Sequence, residues 1–166
     1  MSASGLNICR ADYANPLHAM ALVSLLDAYA QDPMGGGAPL GEFAKAHLVA
    51  ELAKRPQAFS VLAFWGPESD LPVGLVNCIE GFSTFACKPL INVHDVAVLP
   101  AYRGQRVAEK MLALVEQIAR ERGACKLTLE VLQGNVGALK LYQRVGFSNY
   151  QLDPAAGHAQ FFQKLI

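Results

Sequence analysis

The feature that most restricts the fold is a strand, a tight turn and a helix in immediate succession at residues 93–108. Residues 90–98 form an apolar run ending Val96-Ala97-Val98, Leu99-Pro100 stops it, and Arg103-Gly104-Gln105-Arg106 supplies a polar turn. A helix is expected over residues 105–122, with Val107, Met111, Leu114, Val115 and Ile118 on one face and Gly123 closing it. Residues 126–132 then read as another strand. A strand, a helix and a second strand in this order join by a right-handed crossover, so the two strands should run parallel. The same succession leaves unpaired N–H groups converging at the helix start, which suits an anion such as a phosphate.

The rest of the chain fits around that unit. Residues 6–10 suit an edge strand, and Asn15-Pro16 caps a helix running to about residue 31. Residues 32–39, with two prolines and three consecutive glycines, read as the most mobile loop. A second amphipathic helix is expected over residues 40–55, carrying Phe43, Ala44, His47, Leu48 and Leu52 and ending at Pro56. Residues 58–65 and 72–79 should pair as a hairpin around Gly66-Pro67. A helix over residues 135–145 and strands at 147–152 and 160–166 complete the order. The expected fold class is α/β: a mixed, mostly antiparallel sheet with one splayed parallel pair, flanked by about four helices.

A length of 166 residues, 52% of them hydrophobic, favours a single domain. Fourteen basic residues balance fourteen acidic ones, so no global field recruits nucleic acid or an anionic membrane. Binding should therefore be local, to a pocket. Cys9, Cys78, Cys87 and Cys125 show no paired spacing, which suggests reduced thiols, a cytoplasmic protein and no metal site. Neither a leader-like start nor an eighteen-residue apolar run is present. The exposed strands of a mixed sheet make a homodimer a further expectation.

Arg103, Gly104, Gln105, Arg106, Val107 and Ala108 resemble the pyrophosphate loop of the GNAT superfamily of acetyl-CoA-dependent N-acetyltransferases, which reads Gln or Arg, any, any, Gly, any, then Gly or Ala. Arg106 stands where that family usually has glycine. A negative φ, as in an early helical residue, would hold the arginine there without strain. Downstream, Asn135 is followed by Ala138, Tyr142 and then Gly146-Phe147, a second resemblance. The likeness is good over residues 73–147. It implies acetyl-CoA as co-substrate, an amine acceptor, and coenzyme contacts from the backbone of Val96, Ala97 and Val98, from the loop, and from Asn135 and Ala138. It also places Tyr142 beside the coenzyme sulfur as the proton donor.

Acetyl transfer needs a neutral amine, a polarised thioester carbonyl and a proton for the departing thiolate. A strand bulge near Val96 would free an N–H for the carbonyl. The base is open between Glu80, at the end of a hairpin strand, and Asp95 on the central strand, with Glu130 a lesser candidate. His94 and Asp95 should alternate onto opposite faces, so that only one sees the cleft. Cys87 lacks a nearby histidine that would make it a nucleophile, which favours direct attack by the amine. Arg103, Arg106 and Lys110 put cations at a helix start, a placement that favours a bound anion. Acceptor contacts are expected from residues 35–40, 81–89 and 153–158. A dinucleotide-binding oxidoreductase would need glycines that this turn lacks. A non-catalytic acyl-CoA-binding module on the same fold is the competing reading, and it would need neither Tyr142 nor a carboxylate.

Overall fold

The computed structural model describes residues 5–66, 68, 70–150, 152–157 and 159–166, in two compact units divided after Leu129. In the first, β1 (Leu6–Arg10), α1 (Pro16–Gln31), α2 (Glu42–Ala53), β2 (Ala58–Trp65), β3 (Leu71–Ser83), β4 (Lys88–Val98), α3 (Val107–Glu121) and β5 (Leu127–Leu129) follow in order. The second unit, Glu130–Ile166, holds α4 (Val136–Arg144) and a 3-10 turn at Pro154–Ala156.

The sheet runs β1-β2-β3-β4-β5, antiparallel except for the parallel β4–β5 pair. The near-continuous apolar runs of β2 and β3 give each strand two buried faces, as their nearly unbroken burial shows. On one face Leu62, Phe64, Leu75 and Ala97 pack against Ala21, Leu22 and Leu25 of α1, with Leu48, Val49 and Leu52 of α2 at the margin. On the other face lies α3, which buries Val107, Met111, Leu112, Val115 and Ile118. Gly74 permits this close approach, because a Cβ there would meet Met111 Cε at 2.8 Å.

Local signals act as expected at several ends. Asn15 Oδ1 accepts from Leu17 N–H at 2.9 Å with Pro16 at the first helical position, and Gly123 ends α3 at φ +71°. Three expectations need correction. Residues 32–39 are organised by one residue: the Asp32 carbonyl accepts from the N–H groups of Gly35, Gly36 and Gly37, and its carboxylate accepts from Met34 N–H. The β3–β4 ladder extends through Gly81↔Leu90, Phe82↔Pro89 and Ser83↔Lys88, so the loop read over residues 81–89 shrinks to a short turn containing Cys87 at φ +51°.

The third correction concerns the strands read at residues 147–152 and 160–166, where the described residues join no ladder and Phe161, Phe162, Leu165 and Ile166 are exposed. Apolar alternation supplies side-chain faces, but a strand exists only where its backbone groups find partners. Pro67, Gln151 and His158, which the sequence reading assigned to the hairpin turn, a strand and an acceptor segment, lie outside the described residues. No helix among the described residues is long and apolar enough to cross a membrane.

Candidate active site

The β4 strand sets the geometry through one inserted residue. Asn77 stands opposite Asp95 and Cys78 opposite Val93, so His94 is an extra residue on β4, a β-bulge. Backbone groups alternate sides along a strand, and a bulge shifts that alternation by one. At the N-terminal end, Ile91 N–H points to β5, donating to Lys126 at 3.1 Å. At the other end, Leu99 N–H points to β3, donating to Val73 at 2.9 Å. Counting back from Leu99, the backbone of Val96 and Val98 faces the β5 side. The bulge makes the two directions compatible.

No β5 residue is paired on that side, because the parallel ladder ends at Val93↔Leu129. Leu129 is also the last residue of the first unit. β5 is three residues long, shorter than the strand read over residues 126–132. Val98 C=O is engaged by Arg103 Nε at 3.0 Å.

The bulge also overturns the expected alternation of His94 and Asp95. Directly opposed residues share a sheet face, so Asp95 lies with Asn77 and Asn92 with Ile79, all on the α1 side. His94 Nδ1 bonds Asn92 Oδ1 at 2.9 Å, which brings His94 to that side as well. Asn92 in turn donates to Thr128 Oγ1 at 3.2 Å. Glu80 lies opposite Ile91 on the α3 side, where Arg122 Nη1 binds its carboxylate at 2.8 Å and stacks on Phe59 at 4.7 Å. Glu80 and Asp95 thus occupy opposite faces of the sheet. Glu130 is exposed and begins the second unit.

After β4 the chain makes a 3-10 turn, Pro100–Tyr102, and enters α3 through residues 103–106. Gly104 takes φ +78° and Arg106 φ +61°, ψ 22°. Arg106 is therefore left-handed, not helical as the sequence suggested, and occupies the conformation that glycine adopts without a steric penalty. No side chain caps α3, whereas Asn15 caps α1 and Asn135 caps α4. The N–H groups of Val107 and Ala108 thus open the helix without a side-chain cap, where the helix dipole favours an anion.

The cations at this helix start have protein partners as well. Arg103 Nη2 pairs with Asp32 at 3.0 Å, tying the loop after α1 to the turn before α3, and Arg106 Nε lies 3.9 Å from Glu109. The Met34 N–H, and then Arg103, hold the Asp32 carboxyl below its usual range.

In the second unit, Asn135 Oδ1 accepts from Ala138 N–H at 3.2 Å, so the spacing of these two residues is that of a helix cap. Tyr142 meets Phe147 edge-on, with ring centroids 5.8 Å apart. Sequence reasoning missed the Asp32–Arg103 clamp and the polar side chains inside the sheet, Ser60 and Asn77. Their signal was a polar residue in an otherwise apolar strand.

A mixed sheet with one parallel pair, next to a helix whose start has no side-chain cap, defines the class of architecture, and a family match settles the family. The chain matches the acetyltransferase (GNAT) family over residues 22–147 and belongs to it. It is 34% identical over 86 residues to the streptothricin acetyltransferase of Streptomyces lavendulae, a match covering 50% of this chain and 46% of that protein. It is 31% identical over 99 residues to the thialysine N-epsilon-acetyltransferase of Bos taurus, covering 60% and 53%. The chain thus spans about half the length of these curated relatives. Among solved structures it resembles a probable acetyltransferase with TM-score 0.79, 23% identity and coverage of 96% and 98%. It also resembles the aminoglycoside N-acetyltransferase AAC(6')-Iy in complex with CoA, with TM-score 0.75, 17% identity and coverage of 98% and 97%. These two likenesses show the fold.

Proposed function

We propose that this chain transfers the acetyl group of acetyl-CoA to a primary amine of a small molecule, amino acid or peptide, by direct attack in a ternary complex. The observation that carries the reading is the course of β4: a bulge at His94 turns the backbone of Val96 away from β3, the ladder to β5 ends at Val93, and Val98 C=O on that side is held by Arg103 Nε. An amide-bearing chain such as pantetheine can pair with that edge as a strand would. The uncapped start of α3 supports the same reading, because its N–H groups and residues Arg103, Gly104, Gln105, Arg106, Val107 and Ala108 suit a pyrophosphate.

Acetyl-CoA supplies an activated acyl group, and the protein's own residues do the remaining work. The backbone of Val96, Ala97 and Val98 holds the coenzyme arm, and an N–H of this segment polarises the thioester carbonyl. Asp95 takes the ammonium proton, directly or through one water. The ion pair with Arg122 on the opposite face makes Glu80 a structural carboxylate instead. Asn135 and Ala138 contribute coenzyme contacts, and Tyr142 protonates the departing thiolate, roles that rest on the family motif. No metal is used. The named acceptors of the relatives, streptothricin and thialysine, make small amines the first class to try.

The test is release of free CoA thiol from acetyl-CoA across a panel holding thialysine, lysine, streptothricin, an aminoglycoside and a peptide with a free amino terminus. Amine-dependent release with at least one member is the expected result. Acetyl-CoA binding without release from any member would replace this reading with the non-catalytic module.

A further inference from the structure

A chain of side-chain hydrogen bonds crosses the sheet and ends on Asp95. Tyr13 Oη lies 2.9 Å from Ser60 Oγ, Ser60 Oγ lies 2.6 Å from Asn77 Oδ1, and Asn77 Nδ2 lies 3.0 Å from Asp95 Oδ2. The chain runs from the segment before α1 through β2 and β3 to β4. Ser60 is 0% exposed and Asn77 6%, in strands whose other buried residues are almost all apolar. A polar pair at such positions adds nothing to packing that two apolar residues would not supply, and it must be fully hydrogen-bonded to be tolerated. The described residues leave no buried side-chain polar atom without a partner.

The donor and acceptor roles are forced. An amide nitrogen only donates, so Asn77 Nδ2 donates to Asp95 Oδ2. Asn77 Oδ1 then accepts the Ser60 hydroxyl proton, and Ser60 Oγ accepts from Tyr13 O–H. Every donor in the chain points toward Asp95, and aligned hydrogen bonds polarise one another.

We propose that Tyr13, Ser60 and Asn77 act as positioning residues for Asp95, an inference that rests on the acetyltransferase reading above. The chain occupies Oδ2, fixes the carboxylate plane at the bulge and turns Oδ1 toward the acceptor. An amide does not relay protons, so the proton leaves the ammonium nitrogen, is taken up by Asp95 Oδ1 and returns to solvent. The neutral amine keeps the electron pair that attacks the thioester. Other titratable groups around Asp95 are Tyr29 of α1, Asp32 beyond it, Cys78 of β3 and His94 beside it on β4.

The test uses the full chain and the best amine of the panel, with Asn77→Ala, Ser60→Ala and Tyr13→Phe. Tyr13→Phe keeps its ring packing at the partly exposed end of the chain, so it reports even where a buried variant folds poorly. The expected result is a graded fall in kcat, about tenfold for Asn77→Ala, smaller for Ser60→Ala and about twofold for Tyr13→Phe. The acid limb of the pH profile should move to higher pH in the same order, with acetyl-CoA affinity unchanged. Activity that falls only with folded fraction, on an unmoved pH profile, would overturn the proposal. So would a loss confined to acetyl-CoA binding. Full activity in Asp95→Asn would overturn it by removing the base it serves, although the family reading would stand. Absence of thiol release with any amine would overturn both readings.

Discussion

Replacing Arg106 by glycine tests the least expected feature of the candidate coenzyme loop. The residue sits at φ +61°, where an L side chain costs about 1–2 kcal/mol relative to its ordinary conformations. Glycine removes that strain but loses more backbone entropy on folding, about 0.5–1 kcal/mol. The side chain is 78% exposed and lies 3.9 Å from Glu109, a surface pair that contributes about 0–1 kcal/mol. The balance lies between about −1 and about +1.5 kcal/mol, which in a chain of this size lowers Tm by no more than about 4 °C or raises it by up to about 6 °C. The cation, however, stands at an uncapped helix start where a pyrophosphate would sit. Its loss should weaken acetyl-CoA binding by about two- to fivefold at low salt, and by less at high salt. Thermal unfolding and calorimetric titration at two ionic strengths measure both effects. A fall in Tm of more than about 4 °C would refute the strain argument. Unchanged or tighter acetyl-CoA binding would refute the placement of the cation beside the phosphates.

Further predictions follow from other parts of the structure. Gly74→Ala forces a Cβ to within 2.8 Å of Met111 Cε and 3.2 Å of Val107 Cγ1, and overpacking there should destabilise the fold by about 1–3 kcal/mol, read as a lower midpoint in denaturant. The Cys78 thiol, pushed up to about 12 by burial and then by Asp95, should resist a thiol reagent at pH 8, while the exposed Cys87 and Cys125 react at once; rapid modification of Cys78 in the folded protein would contradict its burial. Asp32 is held below 3.8 in the folded state, so its contribution to stability is complete above that value and is lost as pH falls further; Asp32→Asn should flatten the dependence of Tm on pH in that acid range. Tyr142→Phe should lower kcat about a hundredfold with acetyl-CoA affinity unchanged, and an unaltered kcat would make it a packing residue against Phe147.

Much of the architecture was legible because its causes are local. Near-continuous apolar runs marked β2 and β3, Asn15-Pro16 marked the start of α1, and Gly123 marked the end of α3. The strand, turn and helix around residues 93–108 carried both the parallel crossover and the family likeness. What was not legible depends on partners distant in sequence. Val96-Ala97-Val98 reads as uninterrupted strand, and only the register against Asn77 and Cys78 reveals His94 as an inserted residue. That one residue put His94 and Asp95 on the same side.

Glu80 gave no sign of its tie to Arg122, forty-two positions away. Arg103 carried no signal for Asp32, seventy-one positions away, which also turned an apparently mobile glycine loop into an organised one. The left-handed conformation of Arg106 went unforeseen because positive φ is rare outside glycine and asparagine. At residues 160–166 the side-chain pattern suggested a strand, yet pattern alone does not supply a neighbouring backbone.

The most direct test of the account is calorimetric titration of the full chain with acetyl-CoA, with NADH as the control. Micromolar binding of acetyl-CoA and none of NADH is the predicted result. Absence of heat and of competition with acetyl-CoA over the millimolar range would contradict the claim that the open β4 edge and the start of α3 form a coenzyme site.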